Sequence, residues 1–122
     1  MSVEINLDLA GAEEFKQAIA RFDAEMQRHL HERLAEWAEI VKTEATRMVP
    51  VRTGYLRSTI YARTLEWQAE IGAEAVYAAN VEFGTRYTLA KPFLHPAVQV
   101  HLPELERVFL EALDLAKTEA GL

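Results

Sequence analysis

Ten apolar residues, Phe15, Ile19, Phe22, Met26, Leu30, Leu34, Trp37, Val41, Ala45 and Met48, follow one another at intervals of three or four. That spacing puts them on one side of a helix and leaves Glu, Gln, Arg and His to the other sides. A single helix from Glu13 to Met48 would be about 50 Å long at about 1.5 Å per residue. Asp23 can cap a second helix, so a break or bend near it is expected. Pro50 closes the segment, because the residue before a proline is disfavoured in helical conformation.

Elsewhere the period is that of strands. In "VEINLDL" Val3, Ile5 and Leu7 alternate with Glu4, Asn6 and Asp8, which predicts a short edge strand. Leu56, Ser58, Ile60 and Ala62 alternate with Arg57, Thr59, Tyr61 and Arg63, and Trp67, Ala69 and Ile71 with Gln68, Glu70 and Gly72. Two antiparallel strands turning near Leu65 and Glu66 are expected, without the usual Asn-Gly signal. "EAVYAANVEFG" reads as a short helix stopped by Gly84. "PELERVFLEALDLAK" reads as an amphipathic helix with Pro103 in its first turn, His101 at its start and Leu105, Val108, Phe109, Ala112, Leu113 and Ala116 inward. Glu104 and Glu106 near one end and Lys117 near the other would match its dipole. The fold class is α+β: a small antiparallel sheet packed by a long N-terminal helix and a C-terminal helix, with residues 1–122 as a single domain.

The net charge of −6 is unevenly distributed: residues 1–50 hold 6 basic and 10 acidic groups, 51–100 hold 5 and 4, and 101–122 hold 2 and 5. A protein that grips a phosphate backbone concentrates basic side chains on one face. Here only Arg52, Arg57, Arg63, Arg86 and Lys91 could form such a patch, and specific nucleic-acid binding is not expected. No apolar run approaches a membrane span, and "MSVEINLDLAGAEEF" lacks the basic start and apolar middle of a secretory signal, so a cytosolic origin is expected. The absence of cysteine excludes disulfides and thiolate metal sites.

Catalytic constellations are equally scarce. His29 and His31 lie about 200° apart around a helix and cannot share a metal, and His95 and His101 have no partners at a recognised zinc spacing. All five glycines, at 11, 54, 72, 84 and 121, are isolated, so there is no phosphate loop, and there is no nucleophile elbow. Glu82 could serve as a general base, an ion-pair partner or a packing polar residue, with Arg86 its nearest candidate partner. No enzyme, cofactor or metal is predicted.

Two segments carry more information together. "PVRTGYLRSTI" (50–60) and "VYAANVEFGTRYTLAKPFLHPAV" (76–98) resemble the tail-component family of long-tailed bacteriophages, the HK-ninety-seven-like neck and tail-completion proteins. The match runs through Pro50, Thr53, Gly54, Leu56, Ile60, Tyr77, Ala78, Val81, Glu82, Phe83, Gly84, Thr85, Pro92, Phe93, Leu94, Pro96 and Ala97. Thr59 replaces the family's serine, with Ser58 beside it. With the flanking helices the resemblance extends over essentially the whole chain.

The residues have their own physical reading. Gly54 and Gly84 can take positive φ, and Thr53 and Thr85 can tie the turns through their hydroxyls. Pro92 and Pro96 stiffen an extended segment whose Phe93 and Leu94 pack on the chain's own sheet or on a neighbouring subunit. Trp37, Phe83, Phe93 and Leu94 are expected in the core. The resemblance implies a virion structural protein of the head-tail junction or tail end, assembled as a ring with itself and neighbouring neck or tail proteins. Such a protein would be made in the host cytoplasm, and DNA would pass through the ring. Subunit contacts are expected at the hairpin and the 84–91 loop, through Tyr55, Arg57, Arg86 and Tyr87. The alternative is a small nucleic-acid-associated module using the central basic residues.

Overall fold

A computed structural model describes residues 2–8, 17, 20–21, 24–65 and 67–119, excepting the side chains of 7, 8, 112, 113 and 115–119. The elements are β1 (Val3–Asp8), α1 (Ala24–Met48), α2 (Tyr55–Ser58), β2 (Ile60–Leu65), β3 (Gln68–Ala73), α3 (Ala78–Phe83) and α4 (Leu94–Glu119). The fold is α+β. Arg21 stands in a turn and α1 opens at Ala24, whereas Phe15, Ile19, Phe22 and Asp23, with the expected break, lie outside the described residues.

The strands form an antiparallel sheet in the order β1-β3-β2, so β1 is an edge strand. Ala73 on the central strand faces Val3 on one side and Ile60 on the other, and Gln68 faces Asp8 and Leu65. The hairpin therefore closes just after Leu65 as its alternation required, although Glu66 lies outside the described residues. Pleating sends Val3, Ile60, Ala69, Ile71 and Ala73 into the core. Helix α1 covers that face with Leu30, Leu34, Trp37, Val41 and Ala45, all buried, and packs against α4 as well. Each large apolar side chain so buried stabilises the fold by about 1.5–3 kcal/mol.

On the outer face Tyr61 stands opposite Gly72, where a Cβ would come within 2.6 Å of its hydroxyl and 2.7 Å of the Val3 carbonyl. The ring thus covers the one position of β3 that has no side chain to pack. Its hydroxyl donates to Glu4 Oε2 at 2.6 Å. Arg63 bridges the carboxylates of Glu4 and Glu70 at 3.3 and 3.1 Å. Burial, reinforced by the Glu4 carboxylate, pushes the Tyr61 pKa up to about 12.

Two expected boundaries are corrected. The alternation from Leu56 does not begin a strand: Tyr55–Ser58 is a helical turn and β2 starts only at Ile60. The last helix starts at Leu94, nine residues ahead of Pro103, which lies inside it; His101, Glu104 and Glu106 are consequently interior rather than at its start. The apolar spacing of Leu94, Ala97, Val98 and Leu105, all buried, continues the stripe N-terminally, and Pro96 occupies the first turn instead. Trp37 Nε1 donates to the His101 carbonyl at 2.7 Å, tying α1 to α4 beside the proline. The side chains of Ala112, Leu113, Ala116 and Lys117 lie outside the described residues.

Candidate interaction site

The first turn follows α1. Gly54 takes φ 85° and ψ −4°, and Thr53 Oγ1 accepts the Tyr55 N–H at 3.3 Å. Leu56, only 5% exposed, roots the turn in the core while Tyr55 and Arg57 face solvent. Thr59 joins this turn to the segment that leads into the second: its hydroxyl donates to the Leu56 carbonyl at 2.8 Å and accepts the Ala75 N–H at 3.2 Å. Ser58 only closes its own turn, donating to the Tyr55 carbonyl.

The second turn ends α3. Gly84 donates to the Asn80 carbonyl at 2.9 Å and then reverses the chain at φ 78° and ψ 174°. Thr85 Oγ1 accepts the N–H groups of Tyr87 and Thr88 at 3.1 and 3.0 Å, and the Lys91 N–H returns to the Val81 carbonyl at 2.8 Å. A Cβ on Gly84 would lie 2.8 Å from Ala90 N and 3.0 Å from the Thr88 carbonyl, so the loop folds tightly back on its glycine. Residues 85–91 are exposed but built, with Arg86 set over the Tyr87 ring at 5.7 Å.

Glu82 does not pair with Arg86. Its carboxylate, 3% exposed as a residue, accepts the backbone N–H groups of Phe93, Leu94 and His95 at 3.0, 2.9 and 3.1 Å and contacts His95 Nδ1 at 2.8 Å. The first turn of a helix leaves its leading N–H groups without internal partners. Here Glu82 takes three of them, and Pro96, next in line, has none to satisfy. Burial alone would raise the Glu82 pKa, but the hydrogen bonds outweigh it and hold the carboxyl below the usual range. Glu82 is therefore a structural clamp seating α4, and the same clamp buries Phe93 and Leu94 completely in the chain's own core.

Phe83 is a correction. It is 62% exposed, its ring centroid 5.5 Å from that of His95 in an edge-on contact, because Ala78 and Glu82, one turn apart, take the inward positions of the six-residue α3. Of the eleven large apolar residues exposed among the described ones, seven belong to the two turns and their flanks: Val51, Tyr55, Val76, Tyr77, Phe83, Tyr87 and Leu89. The rings of Tyr55 and Tyr77 meet at 6.3 Å. Val51, Val76 and Leu89 were missed from sequence, yet each is an apolar residue outside any periodic stripe, which is the available signal.

Between the turns lies an open cleft of ≈ 750 Å³, lined by Pro50, Arg52, Thr53, Gly54, Leu56, Tyr77, Asn80, Val81, Thr85, Thr88, Leu89 and Lys91. Two motifs some thirty residues apart in sequence thus form one surface feature. The size lies within the small-ligand range of about 300–1,000 Å³. Among the described residues, however, its only charged lining groups are Arg52 and Lys91, and its lining includes no carboxylate or histidine to make an acid-base pair with them. Among the described residues no group of three or more His, Cys, Asp or Glu converges to hold a metal ion, and no helix is long and apolar enough to cross a membrane.

No curated protein and no solved structure is significantly similar to the chain. A family model does match, over residues 13–84, a span holding α1, both positive-φ glycines and the whole hairpin. The expected coverage of essentially the whole chain is thus reduced: the loop after Gly84, the Pro92–Ala97 run and α4 lie beyond the match. With more than half its length so matched, the chain belongs to the family described as "Bacteriophage HK97-gp10, putative tail-component".

Proposed function

We propose that this tail component, residues 1–122 acting as one domain, works at the phage or prophage head-tail junction or in tail completion. There it closes into a ring with copies of itself and stacks on neighbouring neck or tail proteins. Its work is protein-protein association, without catalysis or cofactor, in the virion after assembly in the host cytoplasm. The observation carrying this reading is the concentration of exposed aromatic and aliphatic side chains on two hydrogen-bonded turns. A rigid, apolar surface with Arg and Tyr at its edge loses little entropy when it is covered. The family-motif residues Thr53, Gly54, Leu56, Tyr77, Glu82, Gly84, Thr85, Pro92, Phe93 and Pro96 shape that surface, and Tyr55, Arg57, Arg86 and Tyr87 make its contacts. The net charge of −6 suits a conduit, since an acidic wall does not condense onto passing DNA.

Arg86→Glu tests this reading. The side chain is exposed, so stability should change by no more than about 0.5 kcal/mol, while completion of tails in a phage carrying the variant should fail. Normal tails with Arg86→Glu would remove the loop from the contact surface.

A nucleic-acid-associated module is the second reading, favoured by one observation: Arg52 and Lys91 line the cleft and Arg57 and Arg86 flank it in sequence. Filter binding at low and high salt separates the two. Tight, salt-sensitive retention of DNA or RNA supports the module, and its absence alongside assembled rings supports the tail component.

A further inference from the structure

We infer that, within the ring proposed above and resting on that reading, the cleft between the two turns of one copy receives the outer face of helix α4 of the next copy.

The cleft is chemically one-sided. Leu56, Tyr77, Val81 and Leu89 make its apolar walls, Arg52 and Lys91 are its only charged groups, and both are exposed without an ion pair among the described residues. In a chain of net charge −6 that is a local inversion, and it selects an occupant with an apolar ridge and acidic flanks. A volume of ≈ 750 Å³ takes several side chains, as a helix ridge would offer.

Helix α4 carries such a ridge. Val100 and Leu110 are 57% and 62% exposed, and exposed Pro103 lies between them. At about 100° per residue these three fall within about 80° of one another around the axis, spread along about 15 Å. Glu106 flanks the ridge on one side and Glu111 on the other, both exposed, and among the described residues Arg107, about 20° around the axis from Val100, is the one cation within it. Helix α1 is a weaker candidate, since its outer face exposes Ile40 alone among large apolar residues. Cleft and ridge are different surfaces, so the contact is head-to-tail, the kind that generates a ring when the rotation closes.

The chain has no cysteine, which allows a clean covalent trap. Phage particles are assembled with Leu89→Cys alone, Leu110→Cys alone, or Leu89→Cys combined with Leu110→Cys or with Val100→Cys, then treated with a short bis-maleimide. A ladder of covalent multimers from a combined variant, and no multimer from either single variant, is the expected result. A second arm reverses the cleft charge with Arg52→Glu and Lys91→Glu; incorporation into particles should fall at least tenfold and return when Glu106→Lys and Glu111→Lys are added.

A dimer from Leu89→Cys alone would mean that cleft meets cleft and overturns the inference. Particles that hold the protein as a ring but yield no ladder from either combined variant overturn it while leaving the ring reading intact. Particles holding no ring of this chain overturn the ring reading and this contact with it. Salt-sensitive DNA retention abolished by Arg52→Glu would assign the cleft to phosphate instead.

Discussion

Gly54 and Gly84 look interchangeable in the sequence, each beside a threonine and each at positive φ, but the two turns are built differently. At Gly54 ψ is −4°, and an added Cβ would meet nothing within 4 Å. At Gly84 ψ is 174°, a region open essentially to glycine alone, and the returning backbone leaves no room for a Cβ. The first turn rests on one buried leucine and on the hydroxyls of Thr53, Ser58 and Thr59, none of which seats another helix. The second is held by Glu82, whose carboxylate fixes the start of α4, and by two threonine contacts within the loop. Equal motifs thus carry unequal loads: the first presents Tyr55 and Arg57, while the second both presents a loop and seats a helix.

Removing the clamp should give the largest effect. Glu82→Ala leaves three helix N–H groups without their acceptor and should destabilise the fold by about 3–5 kcal/mol, which thermal unfolding would read as a Tm lower by more than about 10 °C. Because the folded pKa of Glu82 is depressed, its contribution is complete above the ordinary glutamate pKa and is lost as pH falls through the lower folded value. The Tm gap between wild type and Glu82→Gln should therefore be widest near neutrality and shrink in strong acid. A gap that stays constant would show that the carboxylate charge is not what holds α4.

The glycines themselves come next. Gly84→Ala combines backbone strain with a contact of 2.8 Å to Ala90 N and should cost about 2–4 kcal/mol. Gly54→Ala should cost about 1–2 kcal/mol, and Gly54→Asn less, because asparagine tolerates left-handed φ. Chemical denaturation of the pair decides the matter; equal losses at both positions would break the distinction between the turns.

How much of this could be read beforehand depends on where the deciding partner sits. Positive φ at both glycines, the hairpin pairing and the helical stripe of α1 are properties of residues near one another in sequence, and all were legible. Glu82 was not, since its partners are backbone N–H groups 11 to 13 residues away, which no residue type advertises. One hint existed: a helix opening "PFLHP" has no Ser, Thr, Asp or Asn before its first turn, so an acceptor had to come from elsewhere. Phe83 was misjudged for the same reason, because the inward position next to it belongs to a glutamate. Pro103 misled by drawing the helix start to itself, although Pro96 fits the first turn and the apolar spacing runs on through Ala97 and Val98.

The smallest effect probes the hydroxyls. Thr85 accepts two N–H groups at 3.1 and 3.0 Å, whereas Thr53 accepts one at 3.3 Å, and all are exposed. Water can replace an exposed acceptor, so Thr85→Val should cost only about 0.5–1 kcal/mol and Thr53→Val less than about 0.5 kcal/mol. Stability alone barely separates such values, but amide exchange does: the Tyr87 and Thr88 amides should exchange faster in Thr85→Val, while exchange at Tyr55 in Thr53→Val should change little. If Tyr55 accelerated more than Tyr87 and Thr88, the first turn would be the more tightly tied of the two, and the surface presenting Tyr55 and Arg57 would owe its order to the Thr53 hydroxyl rather than to the buried Leu56 beneath it.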